Sequence, residues 1–188
     1  HNLNKALSGE MEGINSDHTT FPIKRIPGLA LPDGNHLFLD QPIPMHVLDL
    51  AMHVYENWNN PQALVFYVPK IENEEEARYL NTLIKTIEQK IKAEHSEYEL
   101  GTVKILIVFE SARAVFRMDE IMYELKDHFV GGSLGWHDYL ASTARILRLD
   151  KRFRIAVKKD PRIVLEHIKT SHTELAEKMH RKGAIAIG

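Results

Sequence analysis

The 188-residue chain is 44% hydrophobic and 27% charged, which is enough apolar material for one globular core, so a single domain is expected. Its 24 basic and 26 acidic residues are interspersed and leave a net charge of −2, which argues against a nucleic-acid or anionic-membrane footprint. There is no cysteine, so disulfides, thiolate metal sites and a cysteine nucleophile are excluded, and no stretch approaches the ~20 apolar residues of a membrane span.

The polar start His1–Glu12 is no signal peptide, and with His1 in place of an initiator Met the true N-terminus is expected to lie elsewhere. An irregular segment follows from Ser16 to Gln41, with one extended candidate at Phe21–Ile26. Met45–Trp58 reads as a helix and Ala63–Val68 as an apolar strand. Asn73 can cap the next helix, with Glu76 three residues on as in a capping box, and Glu74 and Glu75 suit the positive N-terminal end. Ala77, Leu80, Ile84, Ile87 and Ile91 recur at helical spacing and form one apolar stripe. Val103–Phe109 is a nearly continuous apolar run, the mark of a strand covered on both faces.

Ser111 is expected to cap a helix running through Leu125, with Met118, Ile121, Met122 and Leu125 as its core face. Phe129 and Val130 form a short strand before a glycine-rich turn, Gly131–Gly135, and a shorter helix begins near Tyr139. Asp160-Pro161 places a cap before a proline at the first position of a last helix, which runs to Lys182 and stops at Gly183 before a strand at Ala184–Ile187. The order β-α-β-α-β-α-β-α-β requires parallel strands with right-handed crossovers, so a doubly wound sheet and a barrel are the two candidates. Because an eight-stranded barrel would lack three strands, the chain is expected to be a piece of a larger protein.

In parallel α/β folds the strand C-terminal ends carry the chemistry. Glu110 follows one strand and Asp138 the next; both are hard oxygen ligands of the kind Mg²⁺ takes, and at adjacent strand ends they could share one ion. For Asp138 a helix cap is an equal alternative, whereas Ser111 is a better cap than Glu110. Gly131, Gly132, Ser133 and Gly135 could bring backbone N–H groups to a small anion, or serve backbone conformation alone. Lys70, in the loop after Phe66–Val68, could hold a carboxylate or carbonyl oxygen, against the alternative of a surface lysine. Arg25, at the end of Phe21–Ile26, could grip a carboxylate in bidentate fashion. None of the 11 histidines forms a His-x-x-x-His pair, so zinc is not expected.

At these residues the chain resembles malate synthase, in particular the shorter A-type enzymes of the glyoxylate cycle. Five blocks carry the resemblance in the family's order: Tyr67–Glu72 with Glu76-Ala-Arg78, Gly101–Glu110, Met118–Leu125, Gly131–Tyr139 and His180–Gly188, spread over about 120 residues. It implies a (β/α)8 TIM barrel, of which about five strands are present, with an irregular entry segment carrying the first strand at 1–41 and a partial barrel at 42–188, cut at both ends. It further implies Mg²⁺ and the condensation of acetyl-CoA with glyoxylate to malate and CoA, in the cytoplasm or, in a eukaryote, the glyoxysome.

Glu110 and Asp138 look like the family's metal ligands, Arg25 like the arginine that polarises the glyoxylate carbonyl, and Gly131–Gly135 like the loop whose amides hold glyoxylate. The family's catalytic base, an aspartate in a later segment, is absent from this chain. Two departures stand out: Ser133-Leu-Gly-Trp-His-Asp138 replaces Asn-Cys-Gly-Arg-Trp-Asp, and Arg25-Ile-Pro-Gly28 replaces the start of Arg-Pro-Arg-Gly-Trp-His. A citrate lyase β-subunit-like acyl-CoA lyase and a non-catalytic relative of malate synthase are the alternatives.

Overall fold

The computed structural model describes residues 23–153 and 160–188, with the side chains of 163–165 left aside. Residues 1–22, which include Phe21 and most of the expected entry segment, lie outside the described residues. The strands are β1 (Lys24–Arg25), β2 (Pro32–Phe38), β3 (Gln41–Pro44), β4 (Val65–Val68), β5 (Lys104–Phe109), β6 (Phe129–Leu134) and β7 (Ile185–Ile187). The helices are α1 (Met45–Asn57), α2 (Glu74–Glu94), α3 (Ala112–Phe116), α4 (Met118–Glu124), α5 (Trp136–Ile146) and α6 (Lys169–Arg181). A 3-10 turn at Pro61–Ala63 precedes β4, and a π-helical stretch at Ile163–Ile168 runs into α6.

Five strands form one sheet in the order β1-β4-β5-β6-β7, which is chain order apart from the separate β2-β3 hairpin. A doubly wound sheet reverses direction at a switch point, whereas a (β/α)8 barrel adds each strand beside the last. The sequential order therefore selects the barrel wall, which is open in this chain. Among the described residues no helix is long and apolar enough to cross a membrane.

The chain divides into two compact units, His1–Val68 with Thr82–Ile105 and Pro69–Asn81 with Leu106–Gly188. In the first, β1 pairs in parallel with β4, placing Lys24 opposite Phe66 and Arg25 opposite Tyr67. Its core holds Ile26, Leu50, Val54, Leu64, Phe66 and Val68, together with Ile84 and Ile91 from the α2 stripe. Glu88 is buried on that helix, and its carboxylate accepts hydrogen bonds from Tyr98 Oη (2.9 Å), Gly101 N (2.8 Å) and Val103 N (2.9 Å). Those three donors clamp the loop that leads into β5, so a charge-bearing group sits in the interior fully served.

The β2-β3 hairpin is an addition to the sequence reading, which takes Ser16–Gln41 as irregular apart from Phe21–Ile26. Its turn residues Leu39 and Asp40 have φ of 49° and 61°, the pair of left-handed residues a two-residue turn needs. Leu-Asp is not one of the glycine-containing pairs that announce such a turn, and Leu37, Phe38 and Leu39 are exposed, so neither turn chemistry nor a buried face marks the hairpin in the sequence.

In the second unit Leu106, Ile107, Val108 and Phe109 of β5 are buried, as the unbroken apolar run requires. Asn73 Oδ1 accepts from Glu76 N at 2.9 Å, and Glu76 Oε2 accepts from Glu72 N at 2.7 Å, so the expected capping box forms one residue longer on its return arm. Ser111 caps α3 through Ala114 N at 3.1 Å, but the expected single helix to Leu125 breaks at Arg117 into α3 and α4. Gly183, at φ 68°, ends α6: its N–H donates to His180 O, and that of Ala184 to Met179 O, a Schellman closure that turns the chain into β7.

The expected turn at Gly131–Gly135 is instead mostly strand. Gly131, Gly132 and Ser133 lie in β6 in register with Ile185, Ala186 and Ile187. A Cβ at Gly131 would lie 2.5 Å from Ile185 O, and one at Gly132 would lie 2.7 Å from a Phe109 ring carbon. These glycines serve close packing rather than a bend.

Candidate active site

Lys70, Glu110 and Asp138 come together in the second unit, each just beyond the C-terminal end of a parallel strand. Glu110 leaves β5 with only 4% of its side chain exposed, whereas the side chains of Lys70 and Asp138 are 54% and 55% exposed. The Lys70 ammonium lies 2.6 Å from Asp138 Oδ2 and 3.4 Å from Glu110 Oε2. Its backbone N–H donates to the other Glu110 oxygen, Oε1, at 2.8 Å. One residue thus fixes the buried carboxylate twice, and its charged end spans both acids.

The backbone makes this possible. Lys70 has φ 63°, a left-handed conformation uncommon outside glycine and found where surrounding structure over-determines it. The sequence carries no mark of this conformation, since Pro69-Lys70 reads as ordinary loop. On the other side, Gly135 donates its N–H to Phe109 O at 3.0 Å, and a Cβ there would lie 2.6 Å from Glu110 Cβ and 3.0 Å from Glu110 Oε2.

Asp138 is the third residue of α5, with Gly135 at the cap position, so the cap alternative weighed for Asp138 does not hold. Gly135, having no side chain, makes no cap hydrogen bond to α5. Burial, and next the nearby Asp138 carboxyl, push the Glu110 carboxyl above its usual range, against the opposing pull of Lys70. Hydrogen bonding to Asp138 holds the Lys70 ammonium above its ordinary value.

Trp136 and His137, which stand where the resemblance expects an arginine and a tryptophan, have ring centroids 3.7 Å apart. Arg25 ends β1 in the first unit with an exposed side chain. Gly131, Gly132 and Ser133 occupy the sheet, and Gly135 abuts Glu110. Among the described residues no group of three or more His, Asp and Glu side chains could hold a metal ion. The two-carboxylate set matches Mg²⁺, which takes one or two carboxylates and fills its remaining positions with water and substrate oxygens. The position that both acids already share with a lysine cation shows that the donor set converges on positive charge.

A family model described as the malate synthase TIM barrel domain matches residues 22–188. The chain belongs to the malate synthase family. It is 31% identical over 170 residues to the glyoxysomal malate synthase of Gossypium hirsutum, covering 86% of this chain and 29% of that protein. It is 28% identical over 205 residues to malate synthase A of Escherichia coli (strain K12), covering 100% of this chain and 36% of that one. The chain thus spans about a third of the length of the curated relatives it matches. Among solved structures, the lead(II) complex of Haloferax volcanii malate synthase superposes with a TM-score of 0.59 over 91% of this chain and 43% of its own, at 11% identity. The same enzyme in its native form at 3 mM glyoxylate gives 0.54 over 76% and 38%, at 12% identity. At that identity the likeness concerns the fold, and it agrees with the open barrel wall.

Proposed function

We propose that this malate synthase segment carries the metal and glyoxylate sites of an enzyme that condenses acetyl-CoA with glyoxylate and hydrolyses the product to malate and CoA. The observation that carries the reading is the convergence of Glu110 and Asp138, from successive strand ends, on a single cation at 3.4 and 2.6 Å.

In this reading Glu110 and Asp138 hold Mg²⁺, and the ion when bound polarises the aldehyde carbonyl of glyoxylate as a Lewis acid. Glu110 suits the role because its burial and its hydrogen bond from Lys70 N keep it in one orientation. Asp138 is carried on the first turn of α5, whose N-terminal dipole favours a small carboxylate. Gly135 sets how closely that backbone approaches Glu110, while Gly131, Gly132 and Ser133, which the resemblance places beside glyoxylate, lie in the strand before it. Lys70 is assigned a substrate oxygen. The methyl proton of acetyl-CoA is taken by a general base, which the resemblance gives as an aspartate of a later segment.

The test is release of CoA from acetyl-CoA by the purified full-length protein that contains these residues, with and without glyoxylate and Mg²⁺. Release that requires both, and that Glu110→Gln abolishes, supports the reading; a Glu110→Gln protein with undiminished release overturns the site.

A further inference from the structure

The cation that Glu110 and Asp138 share belongs to the protein itself. Lys70 Nζ lies within 2.6 Å of Asp138 Oδ2 and 3.4 Å of Glu110 Oε2, so a divalent ion bound by both acids would need the volume the ammonium now fills. Two cations cannot share that position without strong repulsion. The three groups differ in freedom to move: the Glu110 side chain is 4% exposed, whereas that of Lys70 is 54% exposed and can swing its ammonium into water. Its backbone stays anchored, because Lys70 N–H holds Glu110 Oε1 at 2.8 Å irrespective of where the ammonium lies.

Resting on the metal-site reading above, we propose that Lys70 is a built-in counter-ion that competes with the divalent cation for the single position between Glu110 and Asp138. Metal loading expels its ammonium and frees it to pair with the carboxylate of a short 2-oxo acid. The charges give the sequence of events. Two carboxylates and one ammonium sum to −1, which repels an anionic substrate. With a divalent ion added the sum is +1, which attracts it, so metal precedes substrate. In the metal-free protein the lysine also keeps the two acids from driving each other apart.

The experiment uses Mn²⁺ as the probe. Binding is followed by loss of the free Mn²⁺ resonance signal in wild-type protein, Lys70→Met and Glu110→Gln, while Lys70 reactivity towards an amine-directed reagent is read by mass spectrometry with and without Mn²⁺. Removing the competitor is expected to tighten Mn²⁺ binding about threefold to tenfold, the hold of a half-exposed ion pair on its site. Lys70 is expected to label faster once Mn²⁺ is present. Equal or weaker Mn²⁺ binding by Lys70→Met, or labelling in the folded wild type that Mn²⁺ leaves unchanged, overturns the competition while leaving the metal site standing. Absence of Mn²⁺ binding by wild type, or Glu110→Gln binding as well as wild type, overturns the metal site itself and the proposal with it. If Lys70→Met fails to fold, the wild-type labelling decides.

Discussion

Gly135 and Glu110 are packed so closely that a single methyl group on the glycine would stand 2.6 Å from Glu110 Cβ. The backbone at Gly135, with φ −81°, would accept any residue, so the restriction is one of space alone. Gly135→Ala is therefore expected to displace Glu110 and cost about 1–3 kcal/mol, the range of overpacking. Urea unfolding measures the stability, and a Mn²⁺ titration of the folded variant should show weaker binding. An unchanged midpoint with unchanged Mn²⁺ binding would mean that the turn yields without moving the carboxylate.

Within β6 the two glycines are ranked by what a side chain would strike. Alanine at Gly131 meets a backbone oxygen, Ile185 O, at 2.5 Å, whereas at Gly132 it meets the Phe109 ring at 2.7 Å. A ring can tilt more readily than a paired strand can move. Gly131→Ala is expected to be the more destabilising of the two by about 1 kcal/mol or more, and the reverse order in thermal melts would contradict the packing.

Removal of the Glu88 carboxylate strands three donors at once. Glu88→Ala is expected to cost about 3–5 kcal/mol, because Tyr98 Oη, Gly101 N and Val103 N lose a buried acceptor. Tyr98→Phe removes only one of the bonds and should cost about 1.5–3 kcal/mol. Burial, and next Glu88, raise the Tyr98 hydroxyl above its ordinary value, so no phenolate absorbance from this tyrosine should appear while the protein stays folded in alkali.

His46 and His53 are both buried, and burial lowers the affinity of each for a proton. His53 Nε2 faces Ala63 O at 3.0 Å; a carbonyl only accepts, so Nε2 carries the hydrogen. As pH falls through 6.5 the unfolded chain takes up these protons before the folded one does. Stability is therefore full above pH 6.5 and declines on acidification, until the pH falls below the depressed folded values. Denaturant midpoints between pH 7.5 and 5.5 should fall, and His53→Gln should flatten the slope. A midpoint that rises on acidification would contradict the sign.

Local pattern and periodicity suffice for much of this protein. The apolar run Val103–Phe109, the stripe from Ala77 to Ile91, the Asn73 and Ser111 caps and the Gly183 stop act over a few residues, and each appears in the structure within a residue or two of its expected place. The same local signals put Glu110 and the loop residue Lys70 at strand exits, and alternation required parallel strands. Tertiary structure decided what depends on distant neighbours. Strand order chose barrel over doubly wound sheet, because crossover helices fit either. Gly131 and Gly132 became strand, because Ile185 and Phe109 leave no room for a side chain. Asp138 fell inside α5 rather than at its cap. Lys70 came to span two acids 40 and 68 residues away, through a left-handed backbone that no neighbouring residue announces. Patterns of three or four residues encode hydrogen bonds and buried faces along one segment; where two segments meet is set by packing, which the chain carries only as a whole.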